Sequence, residues 1–117
     1  EVLEGADGKL YRMAGVIPGR CFRTERLGRF GYITLKALEG GLLCPEGSEL
    51  KAHEFHYWDS EHCGESFLAV KPDGSRSWKC GIMTDDMYAG FPHLFYYDSP
   101  KAAMRFVHAC AGRRKSL

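Results

Sequence analysis

The sequence lacks several features that would assign it at once to a large class of proteins. No apolar run approaches the roughly 20 residues that a bilayer-spanning helix needs. The acidic start, Glu1-Val2-Leu3-Glu4, is opposite in charge to the basic start of a secretion signal. The patterns GxxxxGK[ST] and GxGxxG are also missing. We therefore predict a cytoplasmic chain that contacts no membrane and binds neither ATP nor a dinucleotide cofactor by itself.

Strong charge and paired cysteines are also missing. The formal net charge is +1, from 16 Lys and Arg against 15 Asp and Glu, so no positive excess attracts nucleic acid. The five cysteines are an odd number and form no Cys-x-x-Cys pair, which argues against a disulfide framework and a zinc ribbon. We expect free thiols, no structural metal and no nucleic-acid partner.

What is present is an ordinary globular composition, with 44% hydrophobic and 26% charged residues over 117 positions. No linker or repeat divides the chain, so we predict one unit spanning residues 1–117. Aromatic and β-branched runs bounded by glycine and proline predict strands. The predicted extended segments are Lys9–Ile17, Phe30–Leu38, Leu50–Trp58, Ser66–Lys71, Ser75–Met83 and Met87–Tyr97.

Two of the predicted strand boundaries follow from the backbone properties of proline and glycine. Pro72-Asp73-Gly74 predicts a hairpin turn, because proline presets one dihedral angle and glycine accepts a positive φ. Pro92 lacks a backbone donor, so it predicts a strand end or bulge, with His93 where a strand gives way to a loop.

The C-terminal region predicts a helix. Ser99 is a favourable N-cap, Pro100 suits the first turn, and Gly112 is expected to end the helix. The apolar stripe at helical spacing consists of Ala103, Phe106, Val107 and Cys110. An independent α/β domain usually has more helices for this number of strands. We therefore predict that the chain is half of a larger unit.

The stretch His53-Glu54-Phe55-His56-Tyr57-Trp58 concentrates groups that could carry chemistry. On a strand, His53 and His56 point to opposite faces and chelate one ion poorly, whereas Glu54 and His56 share a face. There a carboxylate can orient an imidazole or bind a cationic or amide group. The alternatives are a solvated polar pair, or a free-standing module that is either non-catalytic or binds a metal through His53, His56, His62 and Cys63.

Arginines recur at every third position in GRCFRTERLGR, namely Arg20, Arg23, Arg26 and Arg29. Guanidinium groups suit carboxylates and phosphates, and a helical turn would align them on one face. A solvated basic loop is the alternative. His93 lies alone among aromatic residues, where a structural histidine is commoner than a catalytic one.

Four segments in order carry a resemblance to a known family: MAGVIPGR (13–20), RLGRFGYI (26–33), HEFHYW (53–58) and YAGFPHLFYY (88–97). Together they resemble the C-terminal part of the class I-like glutamine amidotransferase domain of cobyrinic acid a,c-diamide synthases. The resemblance implies an α/β fold: the C-terminal, strand-rich half of a flavodoxin-like domain, ending in a helix.

The resemblance also implies roles. His93 takes the place of the catalytic histidine, while the nucleophilic cysteine would precede Glu1. Where the family motif commonly has a second histidine this chain has Phe95, which also cannot replace the glutamate that orients the histidine in classical class I amidotransferases. Glu54, with His56 beside it, is therefore the hypothesis for a supporting carboxylate.

The substrates implied are glutamine and cobyrinate, with Arg20, Arg23, Arg26 and Tyr57 as candidate substrate-binding residues. An N-terminal domain that lies outside this sequence would bind ATP and Mg²⁺. By itself the chain is expected to be inactive, to need no cofactor, and to self-associate through exposed apolar surface.

Overall fold

The computed structural model describes residues 1–114, which form eleven strands and one helix. The strands are β1 (Val2–Glu4), β2 (Leu10–Arg12), β3 (Arg20–Arg23), β4 (Phe30–Ala37), β5 (Glu49–Phe55), β6 (Trp58–Ser60), β7 (Phe67–Val70), β8 (Ser77–Cys80), β9 (Ile82–Met83), β10 (Tyr88–Ala89) and β11 (His93–Leu94). The helix, α1, spans Pro100–Arg114.

Three sheets organise these strands. The largest is antiparallel throughout, in the order β11-β5-β4-β7-β8. A second sheet has the order β2-β1-β3-β6 and contains, among residues 1–114, the single parallel pair, β1 with β3. Strands β9 and β10 form a two-stranded ribbon. The long central strands β4 and β5 pair from Phe30 opposite Phe55 to Lys36 opposite Glu49.

One side of the five-stranded sheet forms the core. Side chains alternate along β4, so Ile33, Leu35 and Ala37 are 2%, 0% and 2% exposed while their neighbours point to the other side. Phe67 and Ala69 on β7 point the same way and are fully buried. Helix α1 covers this side, with Ala102 in the core cluster and Ala109 packed against it.

The predicted hairpin is confirmed. β7 and β8 pair antiparallel, Gly74 has φ +71°, and its amide donates to the Lys71 carbonyl at 2.9 Å. Asp73 accepts hydrogen bonds from the backbone and hydroxyl of Ser75, which fixes the turn further.

Four predicted strands are shorter or divided in the structure. The segment predicted over Lys9–Ile17 is a strand only at β2, and the one predicted over Met87–Tyr97 is divided into β10 and β11. The segment predicted over Leu50–Trp58 leaves the large sheet after Phe55 and enters the second sheet as β6. The segment predicted over Ser75–Met83 breaks at Gly81, whose φ of +70° turns the chain between β8 and β9. A Cβ on Gly81 would lie 2.9 Å from the Phe67 ring, so glycine also permits this close approach.

The helix begins at Pro100 as predicted, but it buries a different face and continues beyond Gly112 to Arg114. Phe106 and Val107 are 49% and 61% exposed, because the small side chains of Ala102 and Ala109 let the helix approach the core closely. Arg105 donates a hydrogen bond to the Gly41 carbonyl at 2.8 Å and holds that packed face in place.

The predicted strand-rich α/β content with a terminal helix is confirmed. The parallel βαβ arrangement of a flavodoxin-like sheet is not seen in the five-stranded sheet, where every pairing is antiparallel. No helix in residues 1–114 has the length and apolar character that crossing a membrane would require.

Replacing Leu35 by alanine is expected to lower the free energy of unfolding by about 2–5 kcal/mol, since its side chain is fully buried in the core. The matched control is Lys36→Ala, on the exposed side of the same strand, which should change stability by less than about 0.5 kcal/mol. Urea unfolding measures both. Equal losses in the two variants would contradict the assignment of faces.

Candidate functional site

His93 opens β11, the edge strand of the five-stranded sheet, instead of ending a strand as predicted. It pairs with His53, while Leu94 pairs with Ala52 and packs against the core. Because neighbours on a strand alternate, His93 points away from the core, and it is exposed. The imidazole is therefore open to an incoming group.

An open row of rings lies on the same side of the sheet. We call it the aromatic face, and it comprises Phe30, Tyr32, His53, Phe55 and Tyr57. Edge-to-face contacts with centroid separations of 5.5–5.9 Å join successive rings. Tyr32 is 75% exposed, Phe30 51% and Phe55 48%, so the described chain leaves this row uncovered.

Glu54 lies on the opposite side of β5 and is fully buried. Its Oε2 lies 3.3 Å from His56 Nε2, so the two residues share a face as predicted. The other ring nitrogen of His56, Nδ1, contacts the Trp58 carbonyl oxygen. Since Glu54 points into the core and His93 points out, the structure does not bring Glu54 or His56 to His93. This geometry therefore does not agree with the hypothesis that the Glu54 carboxylate contacts and orients the His93 imidazole.

Arg29 joins Glu54 to a second group of polar side chains. Its Nε lies 3.9 Å from Glu54 Oε2, and its Nη2 contacts Asp59 Oδ1 and lies 3.4 Å from Cys63 Sγ. Cys63 Sγ in turn lies 3.1 Å from Asp59 Oδ1 and 3.2 Å from the Ser60 carbonyl oxygen, either of which can accept its single thiol proton. We call Arg29, Glu54, His56, Asp59 and Cys63 the inner cluster.

Electrostatics within the inner cluster keep opposite charges together. Burial acts to lower the pKa of Arg29, but Cys63, Asp59 and Glu54 outweigh it and the pKa is raised. Burial acts to raise the pKa of Asp59, yet hydrogen bonds from Cys63 and Ser60 and the charge of Arg29 bring it below its usual value. For Cys63, burial is the largest influence and the pKa of the thiol is raised.

Phe91 connects the inner cluster to His93. Its ring stacks on His56 with centroids 4.1 Å apart and an interplanar angle of 11°, and the Arg29 guanidinium carbon lies 5.9 Å from its centroid. The next residue, Pro92, is buried, and its carbonyl accepts a hydrogen bond from the Tyr88 hydroxyl at 3.2 Å. His56 and Arg29 therefore hold the segment that leads into the exposed imidazole.

Sequence reasoning singled out every member of the inner cluster except Asp59, but it missed the contacts that bring them together. Asp59 and Cys63 lie 30 and 34 residues from Arg29, so no short-range sequence pattern predicts that they contact it. The stacking of Phe91 on His56 is equally remote in sequence. Only the excess of polar residues around 53–63 hinted at a buried network.

The arginines do not share one face, so the helical alignment considered for them is wrong. Arg20 and Arg23 begin and end β3, and Arg26 lies in the following loop. Arg20 already pairs with Glu4 at 2.8 Å and Glu61 at 3.5 Å. Arg23 and Arg26 are exposed.

The structure does not support the metal-binding alternative. Within residues 1–114 no group of three or more His, Cys, Asp or Glu side chains is placed to hold a metal ion. His53 and His56 point to opposite sides, as predicted from strand geometry. Cys63 is engaged with the Arg29 cation, which would repel a metal ion.

Comparison with known proteins gives consistent matches to one kind of enzyme. A protein of Caldanaerobacter subterraneus subsp. tengcongensis is 30% identical over 90% of this chain, and one of Salmonella typhimurium is 31% identical over 92%. A Fusobacterium nucleatum protein is 36% identical over 85%. All three are named cobyrinate a,c-diamide synthase, and this chain spans about a quarter of their length. No family model and no solved structure matches.

The fold and these matches together define a strand-rich α/β chain that is homologous to part of a much longer enzyme. In sequence the chain is a relative of the cobyrinate a,c-diamide synthases, over the region that it spans. The resemblance to cobyrinic acid a,c-diamide synthases that was drawn from the four motifs is confirmed.

The depressed pKa of Asp59 predicts a specific acid response. Its stabilising contribution is present above the unfolded pKa of about 3.9 and is lost as pH falls through the lower folded value. Asp59→Asn should therefore be less stable than the parent above about pH 4 and should lose less stability on further acidification. Urea unfolding from pH 6 to pH 2 measures this, and parallel curves for parent and variant would contradict it.

Thiol reactivity should separate Cys80 from Cys110. Burial, followed by the charge of Glu54, raises the pKa of Cys80 to about 12, whereas Cys110 is exposed on α1. Because the thiolate is the reacting form, iodoacetamide at pH 8 should modify Cys110 in the folded protein and Cys80 only after unfolding. Peptide mapping by mass spectrometry distinguishes them, with urea-unfolded protein as the control. Equal rates in the folded state would contradict the burial of Cys80.

Proposed function

We propose that this chain is part of a glutamine-dependent, ATP-driven amidoligase that amidates the a and c carboxylates of cobyrinate in cobalamin biosynthesis. Within that enzyme it contributes the catalytic His93 of the glutaminase site. The observation that carries the proposal is the 30–36% identity, over 85–92% of this chain, to proteins named cobyrinate a,c-diamide synthase.

The name of those relatives, diamide synthase, describes the conversion of carboxylates to amides. That reaction requires a nitrogen donor and an activated carboxylate. A carboxylate has no adequate leaving group, so ATP and Mg²⁺ would activate it. The residues described here carry no phosphate-binding glycine loop, so that step is assigned to another part of the protein. The location proposed for the enzyme is the cytoplasm.

Ammonia would come from glutamine by thiol chemistry. A thiol attacks the side-chain amide after His93 takes its proton, and the tetrahedral intermediate collapses when His93 returns that proton to the departing ammonia. Water then hydrolyses the remaining thioester to glutamate and regenerates the thiol. His93 needs an open approach for this role, and its exposed position on the sheet supports it.

The inner cluster supports the proposal indirectly. Phe91, stacked on His56, anchors the backbone two residues before His93, so the imidazole sits on a fixed segment although the ring itself is exposed. In this proposal Glu54 and His56 act through that anchor and contact neither substrate. They are positioning residues.

For the polycarboxylate substrate, the proposal favours Arg23 and Arg26 over Arg20. Both are exposed, while the Arg20 guanidinium is already occupied by Glu4 and Glu61. Tyr57 is 45% exposed at the end of the aromatic face and remains a candidate for substrate contact.

The test is His93→Ala in the complete natural protein. Glutamine-driven amidation should fall by at least about 100-fold, because a general acid–base typically contributes 10²–10⁴-fold. Turnover driven by added ammonium chloride should stay near the parental rate, since it bypasses the thiol step.

His108→Ala, an exposed imidazole on α1, is the matched control and should leave both activities unchanged. Glutamine-driven turnover that survives His93→Ala would refute the role given to His93.

A further inference from the structure

A cluster of lysines lies beside the aromatic face, on the side of the five-stranded sheet that points away from the core. Lys36, Lys51 and Lys71 line a groove of about 580 Å³ that also includes Thr34. Two of the ammonium groups are held in place by neighbouring oxygens. Lys51 Nζ donates to Thr34 Oγ1 at 2.9 Å, and Lys71 Nζ contacts the Phe30 carbonyl oxygen. The groove therefore presents two cations in fixed positions.

These lysines have no acidic partner within ion-pair distance. Among residues 1–114, no ion pair joins Lys36, Lys51 or Lys71 to a carboxylate. Glu49 also lines the groove, opposite Lys36 in the β4–β5 register, and Asp73 is hydrogen-bonded within its own turn. Because the two anchored ammonium groups contact only neutral oxygens among the described residues, their charge stays available to an anion.

The spacing of the anchored ammonium groups selects the size of that anion. Phe30 and Thr34, which hold Lys71 and Lys51, are four residues apart on β4. Since a strand rises about 3.4 Å per residue, the two charges lie roughly 14 Å apart along the strand. A single phosphate or a short carboxylate reaches one of them. An anion that carries carboxylates around a broad scaffold reaches both.

Tyr32 favours a planar scaffold for this anion. It lies on β4 midway between residues 30 and 34, on the same side of the strand, and its side chain is 75% exposed. Its ring meets that of His53 edge to face, with centroids 5.5 Å apart. A flat ring system can stack on such an exposed aromatic side chain while its rim directs charged groups to the lysines on either side.

The groove also lies close to His93. His93 pairs with His53 in the β11–β5 register and His53 pairs with Tyr32 in the β5–β4 register, so these residues form a row across three neighbouring strands. Adjacent strands are about 4.8 Å apart, which places Tyr32 roughly 10 Å from His93. A broad ligand over Tyr32 would therefore lie beside the imidazole to which the proposed function assigns the release of ammonia.

We propose that the groove and the Tyr32 ring form a binding site for a planar polycarboxylate. Lys51 and Lys71 bind carboxylates at the rim of the ligand, Tyr32 stacks on its ring system, and Lys36 extends the site along β4. In the enzyme proposed above the ligand is cobyrinate, held through carboxylates other than those being amidated. That identity rests on the proposed function, whereas the preference for a planar polyanion rests on the groove.

Steady-state kinetics of the complete natural protein tests the site. With ammonium chloride as the nitrogen source, Lys51→Gln/Lys71→Gln should raise the KM for cobyrinate about tenfold, because each solvent-accessible ion pair contributes up to about fivefold in affinity. Both kcat and the KM for ATP should stay at the parental values.

The matched control is Lys9→Gln/Lys101→Gln, which removes two exposed positive charges outside the groove and should leave all three constants unchanged. A parental KM for cobyrinate in the groove variant, or an equal rise in the control, would overturn the proposal.

Fluorescence anisotropy of uroporphyrin, a planar macrocycle with carboxylates around its rim, measures binding without turnover. Its affinity for the complete protein should fall about tenfold in Lys51→Gln/Lys71→Gln. Tyr32→Ala should also weaken binding, whereas Tyr32→Phe should retain it because the stacking ring is kept. Neither ATP nor tricarballylate, a short tricarboxylate without a ring, should displace the probe. Displacement by either compound, equal affinity in parent and groove variant, or no binding by the parent would overturn the proposal.

The site and the proposed function fail separately. Uroporphyrin binding that depends on Lys51, Lys71 and Tyr32, in a protein that does not amidate cobyrinate, would retain the site and refute the function. Amidation of cobyrinate with the same KM in the parent and the groove variant would do the reverse.

Discussion

The alternation of side chains along β5 is the constraint on which the rest of this structure depends. His53 and Phe55 point to the open side of the sheet and Glu54 points into the protein, where it is fully buried. A slip of one residue in the pairing of β4 with β5 would expose the carboxyl group and bury the rings. One strand register thus defines both the aromatic face and the inner cluster.

Burying the carboxyl group of Glu54 costs free energy, which contacts with neighbouring residues offset. A carboxyl group removed from water must be paired, and Arg29 and His56 both approach Oε2, while Oε1 has no hydrogen-bond partner among the described residues. Removing Arg29 would leave the buried carboxyl group with only the His56 contact at Oε2. The pairing of Glu54 with Arg29 and His56 therefore adds little net stability. Its main effect is to disfavour arrangements of the strands in which Glu54 is buried without a partner.

The amino-acid sequence predicts local features of this fold well and remote ones poorly. Pro72 and Gly74 predict the hairpin because the turn depends on its own dihedral angles. The face that α1 buries was mispredicted because helical spacing marks Phe106 and Val107, while packing selects Ala102 and Ala109 for their small size. The contacts of Arg29 with Asp59 and Cys63 span 30 and 34 residues and follow only from the assembled sheets. His93 itself was identified from a motif, yet its orientation required the β11–β5 register.

The stacking of Phe91 on His56 also bears on the order in which the molecule assembles. β11 joins the sheet through a pairing of residues 40 positions apart, whereas β7 and β8 meet across a short hairpin. Loop closure makes distant pairings slower to form than local ones, so we expect β11 to dock last during folding. A chain emerging from the ribosome would then hold the exposed His93 imidazole in place only once the remaining strands have consolidated, so the edge of the five-stranded sheet is the last part to become ordered.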